Sequence, residues 1–284
     1  MLSVFKQLWK RRYHPALENK LSILTVCETI KPLNNAQVED AESLLDTAYD
    51  WLSAQHNSHL MRNIGHFPAL KVAHTKATYF ENPATNLSFN DKLIEQLTVG
   101  AMPLVITNCH ETLLEVLPSL IIDQEDVGFI NINAHLLMDQ CLDLTMGSML
   151  HFALNRFNEC RAFHVGIDRN RCDKKQLEYA EDMGCNWLLA DEVNYRSRTM
   201  VKEQLARFIS HCDKLLLTID LPSISKHNSS SEKHKLDINM VLRVLRQCLA
   251  SNKVLLVQLV GSEERHIYSK ATQLLVQELG HFCE

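Results

Sequence analysis

Seven short runs in this chain are apolar at almost every position rather than at alternate positions: 21–26, 103–107, 127–132, 162–167, 187–189, 215–219 and 254–260. A strand of that kind has protein against both faces, the signature of a parallel sheet sandwiched between helices. Patterns of helical period lie between the runs. Val38, Ala41, Leu44, Leu45, Ala48 and Leu52 form one stripe, and Val201, Leu205, Phe208 and Ile209 form another. Val241, Leu242, Val244, Leu245 and Leu249 form a third, and a last helix is expected from about 267 to 279. Asp173 is placed to cap a helix that reaches Met183, with Gly184 as its stop. The alternation predicts an α/β fold of three layers, α/β/α, around a mostly parallel sheet. No linker interrupts it, so 1–284 reads as one domain, with 1–20 open as an N-terminal extension. Residues 56–90 fit no element and read as an irregular insertion, and 223–235 is a polar, serine-rich loop.

Composition narrows the function. With 29 basic against 34 acidic side chains the net charge is −5, which gives no basic field for nucleic acid. No apolar run approaches the ~18 residues of a membrane span. Residues 1–12 mix Leu2, Phe5, Leu8 and Trp9 with Lys6, Lys10, Arg11 and Arg12, and read as a terminal helix docked on the body. The alternative is a membrane-surface or targeting helix. Nine scattered cysteines, with no CxxC pair, indicate reduced thiols and a cytoplasmic location. Only 8 of 284 residues are glycine, against a usual share of about 7%. The loops therefore lack the residue that lets backbone approach a substrate.

In open parallel α/β sheets, ligands bind beyond the carboxyl ends of the strands. His110 follows the run 103–107, Asn133 and His135 follow 127–132, and Asp220 follows 215–219. Three strand ends thus bring two imidazoles and one carboxylate to one edge, donors suited to a divalent ion.

The context of these residues resembles the ureohydrolases (arginase, agmatinase and formimidoylglutamase), and formimidoylglutamase most. Leu104-Val105-Ile106-Thr107-Asn108-Cys109-His110-Glu111-Thr112 resembles the family's LVLGGGHET. Phe129-Ile130-Asn131-Ile132-Asn133-Ala134-His135 resembles INFDAHFD, and Leu216-Leu217-Thr218-Ile219-Asp220-Leu221 resembles YLTIDLD. Phe163-His164-Val165-Gly166-Ile167 with Gly184-Cys185-Asn186-Trp187 matches the intervening unit, and Leu256-Val257-Gln258-Leu259-Val260 matches a later strand. The likeness is clearest over 95–280. It implies an arginase-like fold and a hydrolase of linear C–N bonds that uses two Mn²⁺ ions, held by four aspartates and two histidines around a shared hydroxide.

Carried over position by position, His110, His135 and Asp220 remain as metal ligands. Asn133, Leu137 and Pro222 occupy the places of the three missing aspartates. Gly261 stands where the family has a glutamate, and Thr107, Asn108 and Cys109 replace the three glycines. Two Mn²⁺ ions carry four positive charges, and the matched positions supply one carboxylate. Uncompensated charge away from water is costly. The expectation is therefore a retained fold with a vestigial site, no catalytic residues intact and no cofactor: a pseudoenzyme with a binding or regulatory role. The alternative is a hydrolase of a formimidoylglutamate-like substrate with one Mn, Fe or Zn ion on His110, His135 and Asp220. Whether the chain is an enzyme turns on that choice. Without metal, the histidines are expected to hydrogen-bond Asp220 or Asn133.

Three neighbours were weighed for chemistry. Glu111 reads as a helix-terminal carboxylate before it reads as a general base. His151 reads as a helix-surface histidine. Cys109 beside His110 suggests a nucleophile pair, but adjacent residues after a strand point apart. As partners, nucleic acid and a transmembrane segment are not expected. A homo-oligomer is possible, and the sequence specifies no small-molecule ligand.

Overall fold

A computed structural model describes residues 21–55, 61–63, 67–73, 76–77, 89–121, 125–224 and 235–283. Its centre is a ten-stranded sheet. In chain order the strands are β1 (Leu21–Thr29), β2 (Met61–Asn63), β3 (Phe67–Ala73), β4 (Lys76–Ala77), β5 (Met102–Thr107), β6 (Val127–Ile132), β7 (Cys160–Ile167), β8 (Asn186–Leu189), β9 (Lys214–Asp220) and β10 (Val254–Val260). They lie side by side as β4-β3-β1-β5-β10-β9-β6-β7-β8, with β2 also paired to β1. Every pairing is parallel except β3 with β4.

Helices cover both faces, as the unbroken apolar strands require. On one face lie α1 (Asn35–Gln55), α6 (Arg198–Ser210), α7 (Ile238–Ala250) and α9 (Lys270–Phe282). Leu45, Leu205, Leu245 and Leu275 from these helices share a core with Ile106, Ile132, Ile219 and Leu259 of the sheet. The other face carries α2 (Phe89–Thr98), α3 (Thr112–Leu120), α4 (Met149–Arg156) and α5 (Lys174–Asp182). There Phe89, Leu117 and Leu150 pack on Val105, Phe129, Leu216 and Leu256. Successive strand residues thus serve opposite cores, and each fully buried Leu or Ile contributes about 1.5–3 kcal/mol.

Local signals explain individual elements. Asp173 caps α5 as expected: its carboxylate accepts from Gln176 N at 2.7 Å while the Gln176 side chain accepts from Asp173 N. Gly184 follows at φ +72°, the left-handed stop. The single helix expected over 267–279 is instead two: α8 (Glu264–Ile267) and α9. Ser269 interrupts them because its hydroxyl accepts from Thr272 N and caps a new helix. Helix α2 carried no sequence assignment, and α3 and α4 were read only through Glu111 and His151, without bounds. They are short, and Pro118 sits inside α3, which obscures its period. The basic N-terminus (1–12), most of the stretch at 56–90 and most of the loop at 223–235 lie outside the described residues.

Two glycines separate strain from collision. Gly166, on β7, has φ +98°, and a Cβ there would lie 2.5 Å from Leu236 Cδ1. Gly184 has φ +72° with nothing within 4 Å. Gly166→Ala is expected to destabilise by about 3 kcal/mol and Gly184→Ala by about 1 kcal/mol. Urea unfolding of the two variants checks both the values and their order.

Candidate functional site

The carboxyl ends of β5, β6 and β9 converge as their sequence context implied, because β9 pairs with β6 and, through β10, lies one strand from β5. Beneath the strand ends runs a row of buried polar side chains in register. His164 on β7 pairs with Asn131 on β6, Asn131 with Thr218 on β9, and Thr218 with Gln258 on β10. All four are 0% exposed. They point to the face that carries α2 to α5, and form a polar floor under the site.

His110 is buried and bonded at both ring nitrogens. Its Nδ1 lies 2.7 Å from Thr218 Oγ1, and Thr218 in turn donates to Gln258 Oε1 at 3.0 Å. Gln258 Nε2 donates back to the carbonyl of Cys109 at 3.1 Å. At the other side, Asn133 Nδ2 lies 3.1 Å from His110 Nε2. The orientation of that amide is set by the backbone, because Asn133 Oδ1 accepts from His135 N at 3.0 Å. Asn133 therefore presents N–H groups to His110, which fixes the imidazole with Nε2 as acceptor and Nδ1–H as donor.

Asp220 ends β9. Its Oδ1 lies 3.7 Å from His110 Nε2, and Ser223 donates to Oδ2. Burial opposes its charge, and the Ser223 hydroxyl donated to Oδ2 favours the carboxylate form. Ser223 Oγ also accepts from Ala134 N at 2.9 Å, tying the β9 end to the β6 end. Pro222 sits inside the 3-10 turn Leu221–Ser223 that makes this link.

His135 does not join the other two as expected. Its ring Nε2 faces Arg171 Nη1 at 3.1 Å, and Arg171 Nε lies 3.5 Å from Asp168 Oδ2. Partial burial and then the guanidinium charge lower the pKa of His135, so its ring accepts from Arg171 as the neutral form. Leu137 is buried at φ +56°, a left-handed leucine. Its carbonyl accepts from Leu150 N at 2.9 Å and His151 N at 3.3 Å, which docks the start of α4 and offsets a strain of about 1 kcal/mol.

The surrounding positions are filled rather than open. Asn108 Oδ1 accepts from Glu28 N and its Nδ2 donates to Glu28 O, both at 2.8 Å, so the side chain continues the ladder between β1 and β5. A Cβ on Gly261 would sit 3.2–3.4 Å from Ile267, Leu221 and His266, so a glutamate there requires those side chains to shift. Cys109 points toward Glu28 Oε2 at 3.6 Å, away from His110, and burial raises its pKa well above the thiol range. It is no nucleophile partner for His110. Glu111 heads α3, the helix-terminal position read from sequence; it is buried, and Oε1 accepts from Gly147 N at 2.8 Å and Ser148 N at 3.1 Å. His151 is half-buried, with Nδ1 2.7 Å from Tyr179 Oη. Arg171 was overlooked in sequence. It follows β7 by four residues, so the same strand-end rule could have found it.

A family model described as "Arginase: Arginase family" matches residues 36–229. The chain belongs to the arginase family. Formimidoylglutamase of Chromobacterium violaceum is 26% identical over 144 residues, 49% of this chain and 47% of that protein. Formimidoylglutamase of Staphylococcus carnosus is 28% identical over 93 residues, 33% of this chain and 30% of that protein. The matches therefore span less than half the length of these relatives. Arginase from Bacillus subtilis superposes with a TM-score of 0.65 at 13% identity, covering 92% of this chain and 98% of that one. Formimidoylglutamase from Bacillus subtilis gives 0.62 at 11%, covering 95% and 88%. At such identities the superpositions show the arginase fold, and no helix among the described residues is long and apolar enough to cross a membrane.

The donor set fits two divalent ions poorly for an arginase-family site. Asp220 is the one carboxylate at the matched positions, Asn133 turns N–H groups inward, and a guanidinium faces His135. No group of three or more His, Cys, Asp or Glu side chains among the described residues is placed to hold a metal ion.

Behind the site, burial lifts the Glu28 pKa to about 8, with Glu111 adding to the rise against a hydrogen bond from Thr112. Below the ordinary carboxylate value both folded and unfolded chains hold the proton, and stability is independent of this group. As pH rises from about 4.5 to 8 only the unfolded chain loses it, so stability falls. Glu28→Gln should flatten that fall and gain about 2–4 kcal/mol over wild type at pH 9, with little difference at pH 4.5. Denaturant midpoints at the two pH values test this.

Proposed function

We propose that this arginase-family protein has given up dinuclear metal hydrolysis and uses the retained fold as a binding or regulatory module. The observation that carries the reading is the Asn133 amide. Its N–H group caps the Nε2 lone pair of His110, and the His135 backbone holds it in that orientation. An aspartate in this place would offer a negative charge and a metal-binding oxygen. An asparagine so oriented offers neither. Arg171 adds a positive charge beside His135, which disfavours a divalent ion there although solvent and Asp168 weaken the repulsion. Leu137 and Pro222 have no donor atoms. Nine unpaired cysteines support a reducing, cytoplasmic setting.

A second reading keeps one ion on His110, His135 and Asp220, acting on a formimidoylglutamate-like substrate. The 3.7 Å approach of His110 to Asp220 favours it. It requires His135 to leave Arg171 and turn toward that pair.

Metal analysis after incubation with Mn²⁺, Fe²⁺ or Zn²⁺ is expected to find far less than one ion per chain. Assays with formimidoylglutamate, arginine and agmatine are expected to show no turnover above buffer. Stoichiometric metal that is lost in His135→Ala would establish the mononuclear site instead. Turnover near 1 s⁻¹ or faster would sink the loss of catalysis. The triple variant Asn133→Asp, Leu137→Asp, Pro222→Asp should bind Mn²⁺ more tightly than wild type, read by calorimetry.

A further inference from the structure

Helices α6 and α7 pack side by side, and a cavity of about 410 Å³ opens between them, sharing no lining residue with the strand-end site. Its floor is apolar, from Val201, Met240 and Val244. Its rim carries the exposed cations Arg198, Lys202 and Arg243. A fourth, Arg246, is already engaged with Glu278 at 2.6 and 2.7 Å. Glu203, the nearest acid along α6, lines a different groove on the far side of the helix. Among the described residues no carboxylate pairs with Arg198, Lys202 or Arg243. In a chain of net charge −5, three cations around one concavity with no carboxylate partner among the described residues run against the average field of the protein.

The two arginines are held in place. Arg198 lies 4.3 Å and Arg243 5.6 Å from the ring centroid of Tyr195, which is 62% exposed. Arg198 Nη1 also donates to Tyr195 O at 2.9 Å. Gln247 Nε2 bonds the carbonyl of Lys202 at 2.8 Å and ties the two helices together. Ordinary solvated helix faces carry cations that point apart. Here stacking on one aromatic ring gathers two guanidinium groups, while their remaining N–H donors stay available. The volume falls in the range of small-molecule sites, and planar guanidinium forks with a nearby ammonium match phosphate oxygens.

We propose that the α6–α7 groove is an anion-binding site for a small molecule that carries a di- or triphosphate group. The groove shares no residue with the site of His110 and Asp220 and does not depend on whether catalysis is lost there.

Inorganic tripolyphosphate is the probe, titrated calorimetrically into the full chain at low salt. The expected result is a single site that weakens with added NaCl, and at least tenfold weaker binding in the double variant Arg198→Gln, Arg243→Gln. Lys174→Gln, a surface cation of α5, should bind like wild type. Circular dichroism of each variant establishes that the fold is intact. Unchanged binding in the double variant would overturn the proposal. So would absence of tripolyphosphate binding together with capture of a poly-glutamate peptide, which would make the groove a docking surface for an acidic protein.

Discussion

Where a sheet is covered on both faces, polar groups buried near the ends of its strands must find partners inside the protein. In this chain that constraint is met by one continuous chain of hydrogen bonds. Asn133 donates to His110, His110 to Thr218, Thr218 to Gln258, and Gln258 to the Cys109 carbonyl from which His110 follows. The loop closes on itself across β5, β6, β9 and β10. Each link fixes the next: the amide sets the imidazole tautomer, the tautomer sets the hydroxyl, and the hydroxyl sets the glutamine. A network of this kind is stable only when every member is satisfied.

The neighbouring half of the polar row is less complete. Asn131 Nδ2 serves both His135 O and His164 Nδ1, at 3.0 Å each. Asn131 Oδ1 and His164 Nε2 have no partner among the described residues, and burial drives the His164 pKa down to about 3. A buried orphan of this kind costs about 1–3 kcal/mol. The pairing of Asn131 with the His135 carbonyl keeps the β6 end in place in spite of that cost. Behind β5, Glu28 and Glu111 bury carboxyl groups, and Glu111 anchors the loop before α4 through two backbone N–H groups. The region therefore has a hydrogen-bonded architecture built from its own side chains. That agrees with the proposed binding or regulatory role and gives the absent carboxylates a structural counterpart.

Much of the fold could be read from the chain. All seven apolar runs became strands, because a strand buried on both faces leaves an unambiguous pattern. The α5 cap was equally legible, since Asp173, Gln176 and Gly184 act through local bonds. The C-terminal helix was misjudged because its apolar period continues through a break that one serine hydroxyl creates. At the site, the strand-end positions of His110, His135 and Asp220 followed from order along the chain. The roles of Glu111 and His151 did not, because their partners, Gly147, Ser148 and Tyr179, are contributed by other elements. Arg171 was within reach of the strand-end rule, but its pairing with His135 was not.

The sequence alone determined seven of the ten strands and their parallel course, missing β2, β3 and β4 in the stretch it read as an insertion, and it placed Asn133, Leu137 and Pro222, none of them a carboxylate, at positions where the resemblance implies aspartates. Those properties are written in residue type and local period. Tertiary structure decided what the remaining polar groups do: His135 turns to Arg171, Asn133 turns its N–H groups to His110, and three cations from two helices gather around one groove. Such choices depend on distances between residues far apart in the chain, which are set only when the layers pack.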